Sequence, residues 1–233
     1  MKAQVLANEA LNAEVFRLEL EKPDGFTFKP GQALQLKVPD VANPGALLDR
    51  YFSIASPPEK QSLELCIKKQ GAATEYLSGL KAGESVELAG AVGAFVLEPK
   101  PHRHFVFVSM GTGVAPFRSM VASKLFRDNL PLSTLFLAGF RHAEDILFGE
   151  DLSRLDYIAW VPALSRESQD GVFAGRVTAY LKAAEIPFEL SEFYICGSAD
   201  LVKEVRAILE QKNVAEESIH HEAYLHPNKK KSW

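Results

Sequence analysis

Cysteine is scarce in this chain. Its 233 residues include only Cys66 and Cys196, which excludes a disulfide framework and falls short of the four thiolates an ordinary iron-sulfur cluster takes. Both thiols are expected to be reduced, in a cytoplasmic setting. Long apolar runs are missing too. No stretch approaches the roughly 18 residues of a membrane span, and Met1 to Glu9 lacks the apolar core of a signal peptide. Positive charge is not in excess: the formal net charge is -4, which argues against nucleic acid as a partner and leaves room only for a local basic face. His220, His221 and His226 crowd one stretch, but no rigid scaffold is predicted beneath them, so no metal site is read there. Repeats and low-complexity segments are absent apart from Lys229 to Lys231.

What is present is apolar material, 47% of residues, enough for one large core or two of ordinary size. The texture changes near residue 100. Before it, Val15 to Leu20, Ala33 to Val38, Arg50 to Ala55, Leu63 to Lys68 and Ser85 to Leu88 alternate or are β-rich, separated by turns such as Lys29-Pro30-Gly31 and Lys81-Ala82-Gly83. This pattern predicts an antiparallel β-barrel over 1–99, with one short helix, Thr74 to Leu80, opened by its threonine. After residue 100, apolar runs (His104 to Ser109, Ser133 to Ala138, Tyr157 to Val161, Phe193 to Cys196) take turns with helical ones (Ala115 to Phe126, Gly149 to Leu155, Val177 to Ala184, Leu201 to Lys212). That order predicts an α/β domain over 100–233, a doubly wound parallel sheet. Glu98 to Arg103, with two prolines, reads as the linker.

Two segments carry most of the chemistry. Arg50-Tyr51-Phe52-Ser53-Ile54-Ala55-Ser56 puts a guanidinium suited to phosphate, an aromatic face suited to a ring system and a hydroxyl suited to a ring nitrogen on one strand, as a flavin requires. Gly111-Thr112-Gly113-Val114-Ala115-Pro116-Phe117 removes side chains where backbone must approach a dinucleotide pyrophosphate and supplies a proline for the first turn of the next helix.

With Gly71-Ala72-Ala73-Thr74, Cys196-Gly197 and Glu222-Ala223-Tyr224 following in order, the chain resembles the ferredoxin-NADP reductase superfamily from about residue 4 to about residue 224. The resemblance implies FAD on the barrel and NADP(H), rather than NAD(H), on the parallel sheet. It assigns Arg50 to the flavin phosphate, Tyr51 and Phe52 to the ring system and Ser53 to the neighbourhood of flavin N5. Phe52 stands where the family usually has tyrosine; a phenyl ring can stack but cannot hydrogen-bond the flavin side chain. Gly71, Ala72, Ala73 and Thr74 would meet the FAD pyrophosphate with amides and a hydroxyl. Cys66, Ile67 and Lys68, with Lys69, match the family's strand facing the coenzyme, although Lys68 and Lys69 read equally well as a solvated strand end. Gly111, Thr112, Gly113, Ala115 and Pro116 would take the coenzyme pyrophosphate. Ser165 and Arg166 resemble the family's grip on the 2'-phosphate, with Arg176 a second cation and Arg141 nearby. Cys196, Gly197 and Glu222 would shape the nicotinamide pocket, with Ser53, Cys196, Glu222 and Tyr224 at the hydride step, and Tyr224 would cover the second flavin face.

The implied activity is hydride transfer between NADP(H) and FAD, with single electrons passing to or from a separate carrier, a ferredoxin or flavodoxin. Lys68, Lys69, Lys100, His102, Arg103 and Lys229 to Lys231 would form the docking face for such an acidic partner. The protein is expected as a monomer or homodimer, and the tail from Leu225 to Trp233 reads either as a frayed end or as folding back to set Trp233 against the adenine end of FAD. Two other readings stand beside this one: a flavin reductase using free flavin as substrate, favoured by Phe52, and an electron-transfer subunit of a larger redox complex.

Overall fold

The alternating segments of the first hundred residues are strands in a computed structural model of the chain, described for residues 1–40, 42, 43 and 45–224. They are β1 (Lys2–Ala10), β2 (Val15–Glu21), β3 (Ala33–Pro39), β4 (Leu47–Ser53), β5 (Ser62–Lys68) and β6 (Ser85–Val92), with the helix α1 (Ala72–Gly79) between the last two. All neighbours are antiparallel, in the order β4-β3-β6-β1-β2-β5. Period-two alternation sends Leu18, Leu20, Leu34, Leu36, Val38, Leu63, Leu65 and Ile67 into one core. Truncating any of them to alanine should cost ~2–5 kcal/mol. The outer strands meet at one corner. Past β4, Ile54 bridges Leu65, and the Ala55 N–H donates to the Glu64 carbonyl at 2.7 Å. These contacts bring the two outer ends of the antiparallel sheet together at that corner.

The second half alternates as expected. Strands β7 (His104–Met110), β8 (Ser133–Phe140), β9 (Ala159–Leu164), β10 (Phe173–Ala174), β11 (Ser191–Ser198) and β12 (Ile219–Tyr224) form a parallel sheet in the order β10-β9-β8-β7-β11-β12. The central strands are buried along nearly their whole length, which is why they read as continuous apolar runs. One face carries an aromatic row set by register: Trp160, Phe136, Phe107, Tyr194 and His220, each opposite the next. Tyr194 and the His220 ring stack at 4.4 Å. The other face, mostly aliphatic but with Phe193 within it, is covered by α5 (Val177–Ala183) and α6 (Ala199–Gln211). Ser198 caps α6 by accepting the Leu201 N–H at 3.2 Å. Asn213, at φ 57, ends it in a left-handed turn with Val214 N–H on the Leu209 carbonyl and Asn213 N–H on that of Glu210.

The predicted helix Ala115 to Phe126 is instead two, α2 (Val114–Ala122) and α3 (Lys124–Arg127). Ser123 breaks it, taking an extended conformation and accepting the Phe126 N–H at 3.1 Å. A further helix, α4 (Gly149–Ser153), follows β8. By compactness the chain divides into Met1–Glu98 with Ala115–Asp128, and Pro99–Val114 with the described residues from Asn129 onward. The segment after the glycine turn therefore packs in the first unit and not, as its sequence position implies, with the second. Phe117 meets Phe95 at 5.8 Å, and a Cβ on Gly31 would collide with Met120 of α2.

Candidate functional site

In the first unit, alternation along β4 separates the flavin motif into two faces. Arg50 and Phe52 share one with Leu48, and Phe52 leans partly against the barrel core. Tyr51 lies on the other, 54% exposed, and Ser53 is buried at the strand end. A single flavin ring cannot stack on both aromatics from one side of the strand. Arg50 Nη1 donates to the Asp49 carbonyl at 2.9 Å, and its charge helps the Asn43 amide and Ala42 N–H hold the exposed Asp40 carboxyl below its ordinary range.

The start of α1 suits an anion. Gly71, at φ 84, is the cap residue and supplies no side chain, and nothing lies within 4 Å of where its Cβ would stand. The first amides of the helix thus have no partner within it. Thr74 is not the cap that the sequence suggested. It sits in the first turn, its hydroxyl accepting the Gln70 N–H at 2.6 Å and donating to the Gly71 carbonyl at 3.0 Å. That hydroxyl shapes the loop, leaving backbone amides of Gly71, Ala72 and Ala73 as the groups that would hold a pyrophosphate. Lys68 pairs with Glu14 at 2.8 Å on the surface, and Cys66 and Ile67 point into protein.

In the second unit, the topology switches direction between β7 and β11, the place where a doubly wound sheet opens a crevice at its carboxyl ends. Gly111-Thr112-Gly113 follows β7 there, and Cys196-Gly197 lies at the carboxyl end of β11. A Cβ on Gly113 would stand 2.8 Å from the Cys196 carbonyl carbon, and one on Gly197 2.9 Å from Leu201 Cδ2 and 3.0 Å from Met110 Cγ. Backbone therefore lines this crevice because no side chain fits. β12 brings Glu222 opposite Cys196 and Tyr224 opposite Ser198. The Tyr224 hydroxyl donates to the Thr112 carbonyl at 3.4 Å and also hydrogen-bonds the Cys196 thiol, so this ring is engaged within its own unit. Burial pushes the Cys196 thiol far up, more than Tyr224 brings it down; it is a neutral, small, polarizable wall rather than a nucleophile. Met110, 44% exposed with its sulfur accepting from Ser198 Oγ at 3.4 Å, lines the same crevice. Sequence reasoning missed it, although a large apolar residue directly before the glycine turn is the signal.

At the ends of β8 and β9 two guanidinium-bearing residues come side by side. Ser165 N–H donates to the Phe140 carbonyl and Arg166 N–H to that of Arg141, each at 3.0 Å. Glu167 is drawn away, accepting the Ala143 N–H at 2.7 Å with His142 beside it at 3.7 Å. Arg176, on the surface, faces Glu204 at 3.0 Å.

Two cations of the expected docking face are paired with a buried acid. Lys100 Nζ and Arg103 Nε lie 2.8 and 3.1 Å from the carboxylate of Glu192, whose side chain is 2% exposed, and His220 Nε2 joins them at 3.0 Å. Burial raises the Glu192 carboxyl, but Lys100 and His220 more than offset it and hold the group below its ordinary range. Leaving this carboxylate unpaired would be costly, so Lys100 and Arg103 are fixed in the fold rather than free for a partner. His226, Lys229 to Lys231 and Trp233 lie outside the described residues. Among the described residues no helix is long and apolar enough to cross a membrane.

Comparison with known proteins matches residues 3–97 to the oxidoreductase FAD-binding domain and residues 107–207 to the oxidoreductase NAD-binding domain. Ferredoxin--NADP reductase B of Sorangium cellulosum (strain So ce56) is 31% identical over 243 aligned positions, covering 96% of this chain and 97% of the relative. The phenol 2-monooxygenase reductase component DmpP of Pseudomonas sp. (strain CF600) is 28% identical over 89% of this chain, which spans only 60% of that protein. Among solved structures, a ferredoxin NADP+ reductase from Neisseria gonorrhoeae with bound FAD and NADP has the same fold, with a TM-score of 0.87 at 20% identity over 96% of this chain and 98% of that one. The flavohem-like FAD/NAD binding domain of a nitric oxide dioxygenase from Vibrio cholerae gives 0.85 at 21%, over 96% and 98%.

Proposed function

The chain belongs to the ferredoxin-NADP reductase superfamily of FAD- and NAD(P)-binding oxidoreductases, and we propose that it passes hydride between NADP(H) and FAD while exchanging single electrons with a separate ferredoxin or flavodoxin. The choice of NADP(H) is carried by one observation, the register that sets Arg141 beside Arg166 with Glu167 turned aside. Two arginines on hydrogen-bonded neighbouring backbones suit a 2'-phosphate, whereas an acidic residue in their place would suit bare ribose hydroxyls. Ferredoxin as the partner is supported by the Sorangium ferredoxin--NADP reductase, matched along nearly its whole length.

Bound FAD supplies the conversion between two-electron and one-electron chemistry. The chain supplies placement. Arg50 and the amides at the start of α1 would hold the flavin phosphates, and Ser53 offers its hydroxyl beside the reacting ring nitrogen. Gly113 and Gly197 let backbone approach the coenzyme, Cys196 stays protonated as a compact wall of the nicotinamide pocket, and Tyr224 must leave Thr112 and Cys196 for the ring to enter.

Steady-state assays with each coenzyme test the reading. Arg166→Ala should raise KM for NADPH by ~1.5–3 kcal/mol in RT ln units and leave NADH nearly unchanged; equal effects on both would remove the 2'-phosphate assignment. Reduction of a ferredoxin or flavodoxin should depend on NADPH. A second reading, free flavin as substrate, is favoured by the partial packing of Phe52 into the barrel core. Gel filtration separates the two, since a prosthetic flavin stays with the protein.

A further inference from the structure

The corner where the outer strands of the antiparallel sheet meet holds a buried polar cluster that flavin and coenzyme binding leave unexplained. Two residues past Ser53, the Ala55 carbonyl accepts from Arg118 Nη1 at 3.1 Å, and the next carbonyl, of Ser56, accepts from Ser119 Oγ at 2.7 Å. Arg118 Nη1 also lies 2.6 Å from Glu64 Oε2, and the Glu64 N–H donates to Ser56 Oγ at 3.1 Å. Ala55, Ser56 and Ser119 are fully buried and Glu64 is 1% exposed. Glu64 stands opposite Glu19 in the β2–β5 register, a like-charge pairing that Lys60 relieves at 2.9 Å from each, with Arg17 adding a contact at 3.3 Å. Burial raises the Glu64 carboxyl, yet Arg118 and Lys60 together bring it below its ordinary range.

An apolar pair of the same size would stabilise such a corner at least as well as a desolvated ion pair. What the guanidinium and the hydroxyl add is direction: each fixes one named carbonyl of the strand end that carries Ser53. We propose that Arg118 and Ser119 are positioning residues for the flavin, holding Ala55 and Ser56 so that Ser53 meets the reacting edge of the ring. The proposal rests on the FAD reading above. Glu64 serves as the counter-charge that keeps the Arg118 fork in place, and α2 thereby has a second task besides continuing the glycine turn.

The test compares the FAD-loaded protein with Arg118→Gln, Ser119→Ala and Arg118→Lys, reading flavin stoichiometry, the visible absorption bands, the midpoint potential and the rate of flavin reduction at saturating NADPH. Arg118→Gln is expected to shift the absorption bands and potential and to slow reduction ~10-fold or more, since displacements of about 1 Å cost up to ~100-fold. Ser119→Ala should move the same readouts in the same direction by ~3-fold on the same principle, and Arg118→Lys, which keeps charge and a donor, should recover most of the loss. Loss of FAD from a folded Arg118→Gln that Arg118→Lys regains supports the proposal as well. Should Arg118→Gln fail to fold, the Ser119→Ala result decides. Variants with bound FAD whose spectrum, potential and reduction rate match the unaltered protein would overturn the proposal while leaving the proposed function standing. An unaltered protein that binds no FAD overturns both.

Discussion

Gly113 and Cys196 meet backbone to backbone, so that a single added Cβ on the glycine would stand 2.8 Å from the Cys196 carbonyl carbon. Neither side is a flexible side-chain end that could swing away. Gly113→Ala should therefore cost ~1–3 kcal/mol as an overpacked contact and raise KM for the coenzyme, because relief comes only by moving the turn or the end of β11. Thermal unfolding and steady-state kinetics check both parts; an alanine variant with unchanged KM would show that the close approach has no bearing on the coenzyme.

Both thiols should be inert in the folded protein. Burial pushes Cys66 up to about 12 and Cys196 higher still, so neither offers thiolate near neutral pH. A thiol reagent at pH 8 should label no cysteine until denaturant is added, and then both. Rapid labelling of folded protein that Cys196→Ala abolishes would contradict the assignment of Cys196 as a buried wall.

Acid should weaken both units through Glu64 and Glu192. Each carboxyl is held below its ordinary value by cations that outweigh burial, so its stabilising contribution is complete above the unfolded carboxylate range and is lost as pH falls through the lower, folded value. Melting temperature should fall steeply below about pH 4. Glu192→Gln should melt lower at pH 7 and show a shallower acid limb, which differential scanning calorimetry at several pH values measures.

Asn8 should matter to the flavin site from the far end of α1. Its Nδ2 donates to the carbonyls of Leu77 at 2.9 Å, Ser78 at 3.3 Å and Leu80 at 2.9 Å, tying down the carboxyl end of the helix, where backbone acceptors run short of helical donors. Asn8→Ala should lower stability by ~1–2 kcal/mol and weaken FAD binding with coenzyme KM unchanged. Equilibrium FAD titration tests this; unchanged affinity would separate the cap from the flavin site.

Legibility from sequence followed periodicity. The alternation of Val15 to Leu20 and Ala33 to Val38 located β2 and β3 because one face of each strand is buried, and the apolar run at Phe193 located β11 because both faces are. Ile219–Tyr224 has no such run, since β12 is only half-buried, so the strand that carries Glu222 and Tyr224 escaped notice. The double helix at Ser123 depends on one hydroxyl choosing the backbone over solvent. The packing of α2 with the first unit, the Arg118 and Glu64 pair, and the hold of Glu192 on Lys100 and Arg103 are long-range contacts that local pattern does not encode. Glycine motifs were legible because their requirement is steric and local.

The most direct test of the central claim is anaerobic stopped-flow mixing of the FAD-loaded protein with NADPH and, separately, NADH, followed by addition of oxidised ferredoxin or flavodoxin. Hydride transfer predicts rapid bleaching of the flavin absorption, saturating at lower NADPH than NADH, and recovery of the absorption as the carrier is reduced. Flavin that stays oxidised in the presence of saturating NADPH would contradict the account.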